Sequence, residues 1–145
     1  MDGLLLATLL VTGFVGCAEF ASVALVHPVV RRLPVESQLV MEQGLLRTYG
    51  IVMPFGMTAA AVLPGVLAQQ SGGLWFWSAA AVLALALVVT VLGNVPINLR
   101  TLRISGRRPP NGFVPMRRRW DVYQAVRGSL QLLGFVLVCL GIAFR

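Results

Sequence analysis

The sequence predicts an all-α protein, a four-transmembrane-helix up-down bundle with both termini on the non-cytoplasmic side. Three observations predict it. Of 145 residues, 57% are hydrophobic and only 12% charged, where a soluble domain carries about 25% charged residues. The mean hydropathy is +0.82, and the apolar residues fall in runs long enough to span a bilayer, which takes about 20 residues at about 1.5 Å each. All twelve basic residues are arginine, and they are clustered. Arg31, Arg32 and Arg47 follow the first apolar run, and Arg100 to Arg119 separate the third from the fourth. This is the positive-inside pattern of cytoplasmic loops.

The first helix is expected over residues 4–30, interrupted by Glu19 and His27. Phe14-Val15-Gly16-Cys17 has the look of a lipoprotein cleavage site, but no basic residue precedes it and apolar sequence continues to Val30. The segment is therefore expected to stay as a helix rather than leave as a signal peptide. Pro34 suits the first turn of a second helix over 34–68. That helix begins amphipathic with Glu36, Gln38, Glu42, Gln43 and Arg47, turns apolar at Ile51, and is expected to kink at Pro54 and Pro64. Ser71-Gly72-Gly73 is a turn, with Trp75 and Trp77 at a headgroup belt. A third helix follows over 74–104. Arg107-Arg108-Pro109-Pro110-Asn111-Gly112 is a loop, and a fourth helix covers 115–144. Residues 1–145 read as a single membrane domain, with the plasma (inner) membrane as its place and the arginine-rich loops in the cytoplasm.

The formal net charge of +7 does not point to nucleic acid, since no aromatics interleave with the arginines and no binding module accompanies them. Cys17 and Cys139 are too few for a disulfide framework and lack metal-ligand spacing. Met41, Met53, Met57 and Met116 read as packing residues rather than a copper site.

Ionisable groups inside membrane segments are costly, so each is a functional candidate. Glu19 and His27 lie toward the arginine-rich end of helix one, and Glu42 and Arg47 on the polar start of helix two. Asn94 and Asn98 share a face of helix three, and Trp120, Tyr123, Gln124 and Arg127 form a stripe on helix four. An up-down bundle brings all four patches to one level, roughly 5–20 Å inside that end. They would line a polar cavity closed by an apolar other half. Bland readings stand beside this one: a solvated Glu42–Arg47 pair, an interfacial His27, and asparagines that only glue helices. Arg127 is too deep to stand alone, and Glu19 is its expected partner. Glu19, His27 and Glu42 could together hold a transition metal such as iron or copper.

Four blocks then resemble the anthrone oxygenase family of small four-helix membrane proteins. Gly13 to Gly16 is followed by His27-Pro28, and Leu46-Arg47-Thr48-Tyr49 by Met53-Pro54. Asn94-Val95-Pro96-Ile97-Asn98-Leu99-Arg100 closes helix three, and Arg119-Trp120, Tyr123 and Arg127 mark helix four. Where Gln124 stands the family often carries His or Asn, which counts against an acid–base role at this position. The resemblance implies oxidation of an anthrone to an anthraquinone in polyketide tailoring, with no established conventional cofactor.

The combined expectation is a membrane-embedded oxidoreductase acting on a lipophilic aromatic or polyketide-type substrate. Glu19 or His27 would be the general base. Arg127 would stabilise the developing oxyanion with Asn94 and Asn98, and Trp120 and Tyr123 would stack on the ring. Gln124 and Arg47 complete the expected binding set. Dioxygen would react with the carbanion directly or at a metal on His27 and the carboxylates. The alternatives are a small proton-coupled exporter using Glu19, against which the off-centre polar groups speak, and a non-catalytic assembly or lipid-binding protein. The sequence leaves the cofactor and a homodimer open.

Overall fold

A computed structural model describes residues 3–144. Four helices make up most of it: α1 (Gly3–Val30), α2 (Val35–Ser71), α3 (Leu74–Leu102) and α4 (Phe113–Ala143). By length and composition each could cross a membrane. Asp2 and Arg145, at the two ends of the chain, lie outside the described residues. Pro34 stands just before α2 rather than in its first turn, with an extended backbone (ψ 145°). Gly72 ends α2 in the left-handed region (φ 67°), where its N–H caps the Ala68 carbonyl, the usual role of glycine past a helix C-terminus.

The helices close a ring in which α1 packs on α2, α2 on α3, α3 on α4, and α4 on α1. Small residues on α4 permit the closest approaches. A Cβ on Gly134 would lie 2.4 Å from Leu83 Cγ, and one on Gly128 would lie 3.1 Å from the Glu19 carbonyl oxygen. The end away from the arginines is filled by Leu5, Leu67, Phe76, Ala79 and Val138. Val15, Met57 and Ala60 continue the packing toward the middle. The outer surface presents Leu10, Phe14, Leu25, Phe55, Leu85 and Leu92, a distribution suited to hydrocarbon rather than water.

Two departures from α-helical geometry position the polar half. Residues Ser22–Val26 in α1 and Thr90–Asn94 in α3 are π-helical. The N–H of His27 reaches back five residues to the Ser22 carbonyl, and that of Val95 to the Thr90 carbonyl. Each π-turn is followed at the same offset by a proline, Pro28 or Pro96. A proline offers no N–H to the carbonyl four residues earlier, and its ring collides with that carbonyl. A widened turn relieves the collision, and such bulges gather at functional sites. Pro54 and Pro64, where kinks were expected, sit within uninterrupted α-helix. The π-turns fall instead in α1 and α3, ahead of Pro28 and Pro96.

Candidate functional site

The site has two polar layers. The deeper one centres on Glu19, whose exposure is 0%. Its Oε2 accepts hydrogen bonds from Arg127 Nη2 at 2.6 Å and Gln124 Nε2 at 2.9 Å. Glu19 sits one helical turn before the α1 π-turn, and Gln124 and Arg127 sit three apart on the inner face of α4. The partner expected for Arg127 is thus the one it has. Glu19 Oε1, Gln124 Oε1 and Arg127 Nε are buried without hydrogen-bond partners among the described residues, which leaves two acceptor oxygens and one N–H donor unpaired in the layer.

The outer layer is a charge network at the arginine-rich end. Glu42, at 1% exposure, accepts from Arg31 Nη1 (2.7 Å) through Oε1 and from Arg117 Nη2 (2.5 Å) through Oε2. Arg31 also donates to both oxygens of Asp121, at 2.5 and 2.7 Å. Two carboxylates and two guanidiniums sum to zero, which makes their burial tolerable. Burial works against the charge on Arg31, but the Asp121 hydrogen bond and the attraction of Glu42 outweigh it, so its pKa lies above the ordinary arginine value. His27 Nδ1 lies 3.6 Å from Glu42 Oε1, too long for a hydrogen bond. The His27 ring rests 4.5 Å from that of Trp120, and Arg117 caps the Trp120 ring at 4.2 Å, a cation–π contact. Trp120 Nε1 donates to Asn98 Oδ1 at 2.6 Å. The indole is held on three sides.

Between the layers lies a cavity of about 170 Å³. Its polar wall comes from α1 and α4: Glu19, Ser22, His27, Trp120, Gln124 and Arg127. The facing wall, from α2 and α3, is mostly apolar, with Leu46, Met53, Pro54, Met57, Val95 and Leu99. Tyr49, Thr90 and Asn98 are its polar members.

The structure brings together six of the residues singled out from sequence: Glu19, His27, Asn98, Trp120, Gln124 and Arg127. Four lie elsewhere. Arg47 is exposed on α2, and the expected Glu42–Arg47 pair is replaced by Glu42 with Arg31 and Arg117. Tyr123 is 42% exposed and packs over Gly93, outside the cavity. Asn94 is fully buried away from it, with both amide atoms unpartnered. Glu42 stands behind His27 in the outer layer. The metal set of Glu19, His27 and Glu42 does not assemble, since no group of three or more His, Cys, Asp or Glu among the described residues gathers as a metal site. Each carboxylate is already turned to arginines. Sequence reasoning passed over Arg31, Asp121 and Arg117, taking the arginines as loop charges. Arg117 carried a readable signal: with Trp120, Gln124, Arg127 and Gln131 it makes one stripe at spacings of three and four.

The family model for anthrone oxygenase matches residues 44–137. The chain belongs to the anthrone oxygenase family. The matched residues include most of α2, all of α3 and most of α4, and with them three of the four blocks that carried the resemblance. They also include Asn98, Trp120, Gln124 and Arg127 of the cavity, whereas Glu19, His27 and Glu42 precede the match. No curated protein and no solved structure matches the chain.

Proposed function

We propose that this member of the anthrone oxygenase family is a membrane-embedded oxygenase that converts the methylene carbon of an anthrone-like, lipophilic aromatic substrate to a carbonyl. The observation that carries the reading is the Glu19 carboxylate. One of its oxygens is fixed by Arg127 and Gln124, and the other is unpartnered in the wall of a largely apolar cavity. Such a carboxylate is oriented and has no competing donor, as a general base requires.

In this scheme Glu19 Oε1 takes a proton from the methylene, leaving an enolate. The unpaired Nε–H of Arg127 and the Gln124 amide lie in the same wall and favour the developing oxyanion. Dioxygen adds to the carbanion carbon, and the proton returns to give a hydroperoxide. Loss of water then leaves the carbonyl. One substrate and one dioxygen give one quinone and one water, with four electrons passing from carbon to oxygen and no further reductant. Trp120, clamped by Arg117, His27 and Asn98, offers a rigid surface for the aromatic rings. His27 shares the cavity and can carry the proton between steps. The three residues of the expected metal set do not fit a metal, and no step is routed through one. The arginine bias supports a reading with the arginine-rich end in the cytoplasm and the termini opposite; in the same reading the membrane is the plasma (inner) membrane and residues 1–145 act as one membrane domain.

The test is a purified protein in lipid nanodiscs given anthrone and dioxygen, with quinone absorbance and oxygen uptake recorded together. Glu19→Gln is expected to lower the rate by about 10²–10⁴-fold, the usual worth of a positioned base. A folded Glu19→Gln protein turning over at the parent rate would remove the proposed base.

A further inference from the structure

The cavity is closed at both ends of the bundle. Toward the arginines, the buried Glu42–Arg117 ion pair lies across α2 and α4. Gln43 Nε2 bridges α2 to α3 by donating to the Thr101 and Ile104 carbonyls, each at 3.0 Å. Toward the other end lies the apolar packing of Val15, Met57 and Ala60. The side between α2 and α3 is different. These helices pack closely up to Val89 and only sparsely beyond it, so they part at the level of the α3 π-turn. The cavity residues there are exposed: Gly50 and Pro54 on α2, Val95 and Leu99 on α3. Leu99 is 48% exposed. Their neighbours Ile51, Val52, Phe55, Val91 and Leu92 are exposed and apolar as well, so the opening faces hydrocarbon.

Gly50 stands in this opening without a packing reason. A Cβ there would meet only Leu46 atoms, at 3.9 and 4.0 Å, whereas Gly16, Gly128 and Gly134 are pressed against a neighbouring helix. A glycine inside a helix is destabilising relative to alanine, and here no close contact demands it. The residue contributes an absent side chain at the mouth of a cavity.

We infer that the cavity is filled sideways from the lipid, through an opening between α2 and α3 whose width Gly50 sets, by planar apolar molecules dissolved among the acyl chains. The inference rests on reading the cavity as a substrate site. It makes Gly50 a residue that sets which molecules pass, and lipid concentration, rather than aqueous concentration, the quantity that governs occupancy.

The experiment uses Trp120 as reporter, in a protein carrying Trp75→Phe and Trp77→Phe, reconstituted in phospholipid nanodiscs. Anthraquinone, a planar quencher of indole fluorescence, is the probe. Gly50→Phe and, from the opposite rim, Leu99→Phe are expected to weaken quenching at least tenfold, with Gly50→Leu intermediate. Gly44→Phe, on the same helix but outside the cavity, with nothing within 4 Å of its Cβ position, is expected to stay within twofold. Half-quenching is expected at a constant probe-to-lipid ratio when lipid is doubled. Equal quenching in all variants overturns the inference, as does no quenching of the parent protein. So does a Gln43→Ala variant that gains quenching while Gly50→Phe loses none, which would put access at the arginine-rich end. Quenching controlled by Gly50 without any quinone formation upholds the lateral opening and removes the oxygenase reading instead.

Discussion

The Glu19–Arg127 pair allows stability and chemistry to be separated. Arg127 donates at 2.6 Å to a carboxylate with no exposed surface, and is itself 8% exposed. Removing one partner of such a pair costs about 3–5 kcal/mol, because the other charge is left uncompensated in a poorly polarisable surrounding. Arg127→Met and Glu19→Leu should each fall in that range. The double variant leaves neither charge. It loses only the Gln124 bond to Glu19, an unpartnered amide costing about 1–3 kcal/mol. Two single costs of at least 3 against a double cost of at most 3 give a coupling of at least about 3 kcal/mol. An exposed pair gives about 0.2–1. Reversible unfolding in mixed SDS micelles, followed by tryptophan fluorescence, measures the three variants against the parent. The double variant should lose only about 1–3 kcal/mol, less than either single variant, and be catalytically inactive. A coupling below 1 kcal/mol would show that water reaches the pair freely, and the picture of a dry polar wall would be wrong.

The outer network should behave in the same way. Arg117→Met is expected to cost about 3–5 kcal/mol by leaving Glu42 short of a buried partner, and the same micelle titration reads it. The helix contacts give an opposed pair of expectations. Gly16→Ala, whose Cβ would lie 2.9 Å from the Gln131 carbonyl oxygen, should destabilise by about 1–3 kcal/mol through overpacking. Gly44→Ala, in open space, should stabilise by about 0.5–1 kcal/mol; equal shifts in thermal unfolding would contradict both. Asn98→Ala removes the acceptor of the buried Trp120 N–H and should cost about 1–3 kcal/mol as well as lower turnover, as the micelle titration and anthrone assays on folded protein can check. Treatment with a strong chelator should leave anthrone oxidation within twofold, and a loss restored by iron or copper would refute the metal-free scheme.

Much of this architecture could be read without coordinates because lipid imposes simple rules. Apolar runs, turn residues and arginine clusters placed the four helices to within a few residues, since each rule depends on composition over a long window. The polar site was legible in part for a related reason. Glu19 and Arg127 are too costly to bury singly, so their meeting followed from sequence once both helices were placed. What escaped was governed by rotation about the helix axes. Tyr123 and Gln124 are adjacent in sequence, yet one packs over Gly93 outside the cavity and the other bonds Glu19. Choosing between them needs the helix phase to within a fraction of a turn. The π-turns shift that phase, and a proline alone does not announce one: Pro28 and Pro96 have them, Pro54 and Pro64 do not.

Each π-turn is equivalent to one residue too many in a helix, and this has a consequence for how the chain counts. A residue added to an α-helix turns everything beyond it by about 100° and advances it by about 1.5 Å. In α1 the surplus residue lies between Glu19 and His27, so the two can face one cavity although an unbroken helix eight residues on would swing them apart by about 80°. Deleting a single residue from Val23–Val26 would restore regular winding with His27 seven residues after Glu19, about 20° away, so both would still face the wall. In α3 the same operation would leave Asn98 facing Trp120. The two π-turns act as phase adjusters: winding either one as regular α-helix with every residue kept, as replacing Pro28 or Pro96 would favour, would detune the cavity while leaving four intact membrane helices.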